Sequence, residues 1–314
     1  MSKLAKIKAK LQSVPAAPSY LTPAQQAQFN LIHSNQFKAH KPQWSKYFTP
    51  PHNSQLAHCR TIIKALASDP ADQAAVTLGL KIFNCKKSRP CRSPFCPYCR
   101  SLLQQTAVDK AQQIFSASRN NHLSFLTILL PVTYTPDADV AAQAIDKCRK
   151  QIQYIFAKNN FTYIKLYGFT EVDIKLAPLV KNQSRAPQVL KDLGFNAASN
   201  QPAYLVHLHA IVDLSNSSES AFRQSLLNAY PGHYQVLFKP FHANKTKQQN
   251  IQYITNYMLK FLTVHADNLH ADDLDKDADY KYFFEEQDIR DYVKLIHGLL
   301  ANNQIRNLKI SKNC

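Results

Sequence analysis

The run Tyr204 to Leu214 constrains this chain most, because it is almost wholly apolar yet carries two histidines one residue apart, His207-Leu208-His209. Such a run reads as a β-strand, and on a strand residues i and i+2 point to one face. His207 and His209 then project together, while Val206, Leu208 and Ala210 face the core. Two imidazoles on one strand make a preorganised partial site for a divalent cation. Two ligands are too few, so a third has to come from elsewhere. Taken alone, such a pair is more often two half-buried histidines bonded to backbone than a metal site.

A second predicted strand, Tyr163 to Ile174, offers the missing ligand. Ile164, Leu166, Val172 and Ile174 share one face, which leaves Glu171 and Asp173 on the other. Glu171 is the better candidate, since it lies deeper in the strand and reaches further. Imidazole, carboxylate and water together suit Mg²⁺ or Mn²⁺ when phosphate completes the shell.

Downstream, Thr246 to Thr263 has helical spacing, with Ile251, Ile254, Met258, Phe261 and Leu262 marking a buried side. Tyr253, Tyr257 and Lys260 stand at i, i+4 and i+7, one face of such a helix. A phenol is a poor nucleophile at its ordinary pKa near 10 and needs help. Lys260 would favour the phenolate and stabilise charge growing on a phosphate. The bland alternative is a pair of tyrosines capping a core edge beside a solvated lysine.

The surrounding pattern is strand 123–130, helix 137–158, strand 163–174, the histidine strand, helix 217–229, strand 234–238 and the tyrosine helix. That order fits an α+β domain, helices packed on a mainly antiparallel sheet. Residues 175–202, rich in Lys, Asn, Ser and Pro, read as an inserted loop. We divide the chain into a basic Pro/Gln-rich arm (1–55) with one short helix near Ala24 to His33, a helical and cysteine-bearing segment (56–120), the α+β domain (121–265), and an acidic linker with a terminal helix (266–314). No internal repeat is visible.

Net charge is +17, and ten of the 21 acidic residues lie between Asp267 and Asp291. The remainder is a strongly basic body, which favours a polyanion and above all nucleic acid. No apolar run approaches membrane-spanning length, and the N-terminus lacks the apolar core of a secretory signal. A cytoplasmic protein is expected, with no membrane partner. Only five glycines occur, and no Walker-type loop is among them, so an ATP-driven helicase is not expected within the chain.

Four of the seven cysteines cluster as Cys85-x5-Cys91-x4-Cys96-x2-Cys99. In a reducing compartment this points to thiolates around Zn²⁺ in a closed structural site rather than to disulfides. Lys86, Lys87, Arg89, Arg92 and Arg100 surround it and suit contact with DNA phosphates. Reduced thiols in a basic loop are the alternative.

In their order, the motifs resemble those of the HUH endonuclease superfamily, specifically rolling-circle replication initiators of plasmids and phages. Phe125-Leu126-Thr127 is similar to the first motif, His207-Leu208-His209 to the second, and Tyr253-x-x-x-Tyr257-x-x-Lys260 to the two-tyrosine form of the third. The resemblance covers about Leu123 to Thr263. It implies a central five-stranded antiparallel sheet with a ferredoxin/RRM-like palm. It also implies nicking of single-stranded or extruded origin DNA by a tyrosine, giving a 5′-phosphotyrosine and a free 3′-OH. His207 and His209 map onto the metal ligands, Lys260 onto the accessory lysine, Tyr257 onto the general nucleophile and Tyr253 onto a second one. Partners would be the origin strand, a host helicase and a DNA polymerase. A two-tyrosine transposase of the same superfamily, a non-catalytic zinc-ribbon DNA-binding protein and a phosphoesterase using water remain alternatives.

Overall fold

The computed structural model describes residues 15–39, 53–176, 186–199, 201–215, 219–261, 264–265, 282–300 and 307–314. Pro50-Pro51, the first part of the polar insertion, Leu262 and most of the acidic linker lie outside the described residues. The helices are α1 (Pro23–His33), α2 (Asn53–Ala67), α3 (Gln73–Phe83), α4 (Pro97–Ile114), α5 (Ala138–Lys158), α6 (Ala186–Asp192), α7 (Glu219–Ala229), α8 (Lys247–Met258) and α9 (Glu286–Leu299). The strands are β1 (Leu123–Thr133), β2 (Lys165–Lys175), β3 (Ala203–Asp213), β4 (Val236–Pro240), the short pair β5 (Val264–His265) and β6 (Tyr282–Phe283), and β7 (Lys309–Lys312). Two compact units result, residues 1–99 with 284–290 and residues 100–283 with 291–314. Among the described residues no helix is long and apolar enough to cross a membrane.

The first unit is helical. Thr22 and Gln25 form a capping box that starts α1, with Pro23 in its first turn. Asp72 caps α3 by accepting the Ala75 N–H at 3.0 Å. Its core includes Phe29, Ile32, Phe37, Ile62, Ile63, Leu66, Val76 and Ile82, all buried. The side chains of Gln28 and Asn84 exchange hydrogen bonds at 3.0 and 2.8 Å and join α1 to the end of α3. Residues 15–39 are therefore folded against α2 and α3, although their Pro- and Gln-rich composition reads as extended. Phe29, Ile32 and Phe37 supply the apolar stripe that the composition hides. Helix α3 was not expected from the sequence, where it runs on into the cysteine segment.

The second unit is α+β, built on a five-stranded antiparallel sheet in the order β4-β1-β3-β2-β7. Four strands follow the sequence pattern, and the fifth, β7, comes from Lys309–Lys312, where no strand was read. The Thr170 N–H and hydroxyl both donate to the Leu308 carbonyl, at 2.8 and 3.1 Å. Asn313 donates to the carbonyls of Phe161 and Ile164, which locks this edge. β4 starts two residues later than expected because Tyr234 adopts φ +53 and cannot continue a strand.

Every residue of β3 is buried, so both faces of the sheet are covered. On the Leu208 face, Phe156, Phe161 and Phe222 meet edge to face, and Phe222 reaches Phe238 of β4 at 6.0 Å. The α5 stripe is Ala141, Ile145, Cys148, Ile152, Ile155 and Phe156, while Val140, next to it in the first turn, is exposed. On the histidine face α8 packs against β2 and β3. The insertion is not a plain loop: Val189, Leu190, Leu193 and Phe195 of α6 and its exit pack with Leu205 and Leu129 beside the histidines.

β2 and β3 approach unusually closely at Gly168, which stands opposite Ala210. A Cβ there would lie 2.2 Å from the His209 carbonyl oxygen and 2.6 Å from the Ala210 Cα. Both obstacles are backbone, so neither can swing aside. Gly168→Ala is expected to destabilise the second unit by at least about 1–3 kcal/mol, the usual cost of overpacking, measured by chemical denaturation.

Candidate active site

The β2–β3 register sets Glu171 directly opposite His207 and Phe169 opposite His209. On the other flank β1 sets Thr127 opposite His209 and Leu129 opposite His207. Cross-strand partners share a face, so one patch of sheet gathers Thr127, Glu171, His207 and His209. The Glu171 Oε2 lies 3.7 Å from the His207 Nε2 and 3.6 Å from the His209 Nε2. All three residues are buried. Both Glu171 oxygens and both Nε2 atoms lack a hydrogen bond of good geometry, and their polar neighbours are one another, Asp173 and Lys260.

Four orphaned polar atoms converging at this depth would be costly in a merely structural cluster. A divalent ion fits them: ligands about 2.0–2.2 Å from such an ion lie roughly 3–3.5 Å apart. The ligand atoms of Glu171, His207 and His209 all lie within 4.8 Å of one another, so this set can hold a metal ion. Burial pushes both imidazoles down, and at His209 the charges of His207 and Lys260 push further. They are thus neutral and ready to ligate. Burial raises the Glu171 carboxyl well above its ordinary range, with Lys260 opposing.

The Thr127 hydroxyl lies 2.9 Å from the His209 Nδ1. With Nδ1–H donating to Oγ1, the Nε2 lone pair is left facing Glu171, as a ligating histidine requires. In the sequence Thr127 belongs to the run Phe125-Leu126-Thr127, which by itself assigns it no role. Asp173, weighed against Glu171 in the sequence, stands 3.3 Å from the His207 Nε2 and 3.2 Å from the Lys175 Nζ. Burial works against its ionisation, yet Lys175, Lys260 and His207 outweigh it and hold the carboxyl well below the usual range. Asp173 therefore carries negative charge beside the Glu171–His207–His209 cluster. Tyr292, fully buried on α9, is near enough to both carboxylates that their charges add to the effect of burial in raising its phenol.

Helix α8 starts at a capping box between Thr246 and Gln249. It brings Tyr257 to the cluster, with its ring 5.2 Å from the His209 ring and edge-on to Phe125 at 5.9 Å. Phe125 in turn stacks on His209 at 5.3 Å. The phenol is raised by burial and by Glu171 and Asp173, while Lys260 pulls the other way.

Lys260 differs from expectation. The helix stops at Met258, so Lys260 is not a further position on its face. It follows the helix, and its Nζ sits 4.4 Å over the Tyr257 ring and 3.5 Å from the Glu171 Oε1. Burial disfavours its charge, but Asp173, Glu171 and Tyr257 overcome this and raise it, so it stays cationic. Two α4 residues hold the turn. Arg100 donates to the Lys260 carbonyl at 3.0 Å, and Gln104 donates to the carbonyls of Asn256 and Leu259 at 3.2 and 3.1 Å. Arg100 thus has a backbone-holding task that its expected role as a phosphate contact did not include.

Tyr253, one turn earlier, meets other groups. Its ring carries the Lys245 Nζ at 4.1 Å and the His242 ring at 6.0 Å.

In the first unit the ligand atoms of Cys85, Cys91, Cys96 and Cys99 also lie within 4.8 Å of one another, and all four residues are buried. Cys99 Sγ is 3.6 Å from both the Cys85 and the Cys91 Sγ. A tetrahedral zinc with Zn–S near 2.3 Å has sulfurs about 3.8 Å apart, so the cluster can hold such an ion. Backbone N–H groups of Cys91 and Arg92 donate to the Cys85 and Cys99 sulfurs at 3.3 and 3.2 Å. Arg92 takes φ +60 to aim its N–H. Hydrogen bonds among the thiols lower Cys85 and Cys99 and raise Cys91 and Cys96. A full set of thiolates therefore needs a cation. Lys86, Lys87, Arg89 and Arg92 are exposed around it.

Three outcomes are expected. Because the metal-free fold holds a proton on Glu171 above the ordinary carboxyl range, it loses stability as pH rises through that range. The thermal shift produced by Mn²⁺ should therefore grow as pH rises above the ordinary carboxyl range, and Thr127→Val should weaken Mn²⁺ binding about 10- to 100-fold. Purified protein should also carry zinc by elemental analysis, lost in Cys96→Ser/Cys99→Ser together with helical signal on chelation. No family model, curated protein or solved structure matches the chain.

Proposed function

We propose that the second unit is a tyrosine-dependent DNA nickase and strand transferase of the HUH type, acting as a rolling-circle replication initiator. The observation that carries the reading is Tyr257, set against His209 with Lys260 between its ring and Glu171. The donor set alone suits several divalent ions and several chemistries. A phenol and a fixed cation beside it suit transesterification at a phosphate.

In this reading the Tyr257 oxygen attacks the scissile phosphorus. The bond from phosphorus to the 3′ oxygen breaks, and the phenolic proton ends on that oxygen, leaving a 5′-phosphotyrosine and a 3′-OH. Mg²⁺ or Mn²⁺ held by Glu171, His207 and His209 would polarise the phosphoryl oxygens. Lys260 favours the phenolate and neutralises charge on the phosphate as the bond forms. Arg100 and Gln104 keep Lys260 there, and Thr127 and Phe125 keep His209 and Tyr257 oriented. The exposed Lys86, Lys87, Arg89 and Arg92 on the cysteine unit would contact phosphates of the origin DNA. A host helicase and polymerase would open and extend the nicked strand. The basic balance of the chain supports a nucleic-acid substrate.

Incubated with Mn²⁺ and single-stranded origin DNA, the protein should form an adduct that survives a denaturing gel. Tyr257→Phe should abolish it, and Lys260→Ala should slow it about 10²- to 10³-fold. A cleaved product with no adduct would indicate water as the nucleophile and sink the proposal.

A further inference from the structure

Tyr253 is the one residue of the tyrosine motif that the metal cluster does not engage. Tyr257 touches His209, Phe125 and Lys260. The Tyr253 ring instead faces Lys245 and His242. Residues at i and i+4 of a helix have Cβ atoms about 5–6 Å apart, which is on the scale of one nucleotide step along an extended strand. An in-line attack, by contrast, needs the nucleophile roughly 3–3.5 Å from phosphorus.

The loop that bears His242 and Lys245 is built rather than slack. Asn250, fully buried on α8, accepts the His242 N–H at 3.1 Å. It donates to the carbonyls of His242 and Lys245 at 2.9 and 3.2 Å, and to the Asn120 side chain at 3.3 Å. Lys245 is thereby placed so that its ammonium rests over the Tyr253 ring, a cation–π contact. Both side chains are half-buried, and His242 is exposed. Along the same face of the sheet, Lys239 of β4 stands in register with Phe125 and is near enough to add its charge at His209. A half-exposed aromatic ring, a held ammonium and an exposed imidazole are the groups that suit a nucleotide of an extended strand.

We propose that Tyr253, Lys245 and His242 form a subsite for the nucleotide of single-stranded DNA adjacent to the scissile phosphate. Tyr253 acts through its ring, as a platform for Lys245 and the base, and not as a second nucleophile. The proposal rests on the nuclease reading for the identity of the strand, and its test separates the two.

Binding of a fluorescent origin oligonucleotide is measured in Tyr257→Phe protein, where no adduct can form, and adduct formation and strand joining are measured in otherwise native protein. Tyr253→Phe should lose far less binding than Tyr253→Ala and keep joining in step with adduct yield, because the ring remains. Tyr253→Ala and Lys245→Ala should weaken binding about 5- to 100-fold, and Lys245→Ala should also reduce the salt slope by about one unit. Thermal melting of each variant, with Lys245→Gln as a milder change, identifies any loss due to unfolding. Tyr253→Phe that binds normally but no longer joins strands would overturn the proposal in favour of hydroxyl chemistry. Tyr253→Ala and Lys245→Gln that bind like the parent would also overturn it. If the strand binds in a Tyr253- and Lys245-dependent way but no adduct ever forms, the subsite stands and the nickase falls. If no oligonucleotide binds, both fall.

Discussion

The pairing of β2 with β3 is the constraint on which the second unit depends. Gly168 lets the two backbones close to a distance that no side chain would allow, and the register that follows puts Glu171 opposite His207. Because side chains alternate along a strand, a slip of one residue would send Glu171 to the opposite face and leave both histidines buried with no carboxylate. The centre is therefore a property of strand alignment before it is a property of any residue. Thr127 reaches His209 by the same logic from the other flank.

The electrostatics of the site pull in opposing directions. Burial favours neutral imidazoles and a protonated Glu171, whereas Lys260, Lys175 and Asp173 keep charge in the same small volume. A divalent ion would resolve the conflict by taking the Glu171 and histidine atoms together. A phosphodiester would complete it by placing negative charge beside Lys260. The cysteine cluster shows the same arrangement in softer ligands, four close sulfurs that cannot all ionise unaided.

Much of this was legible in the sequence, for physical reasons. Strand alternation was enough to pair His207 with His209 and to offer Glu171, and the four clustered cysteines do meet. What escaped were features set by long-range contacts. β7 has too few residues and too little alternation to announce itself, and it is a strand only because Thr170 and its neighbours give it partners. Lys260 kept helical spacing in the sequence, but Arg100 and Gln104 take the carbonyls at the end of α8 and turn the chain away. Arg100 read as a phosphate contact because charge is visible in sequence and a backbone partner 160 positions away is not. Helix α3 and the packed residues 15–39 were masked by composition, where a few buried apolar side chains outweigh many polar ones.

The late arrival of β7 has a consequence for how this protein comes into being. Thr170 and Leu308 are 138 positions apart. During synthesis, β2 therefore waits as an open sheet edge until the residues up to Leu308 have emerged. Non-local pairings of this kind form slowly, and open edges invite wrong partners. The strand that carries Glu171 is the one left waiting. The Glu171–His207–His209 cluster is thus secured on that flank only once β7 has paired, so chains stopped short of Leu308 would carry it on an unfinished sheet.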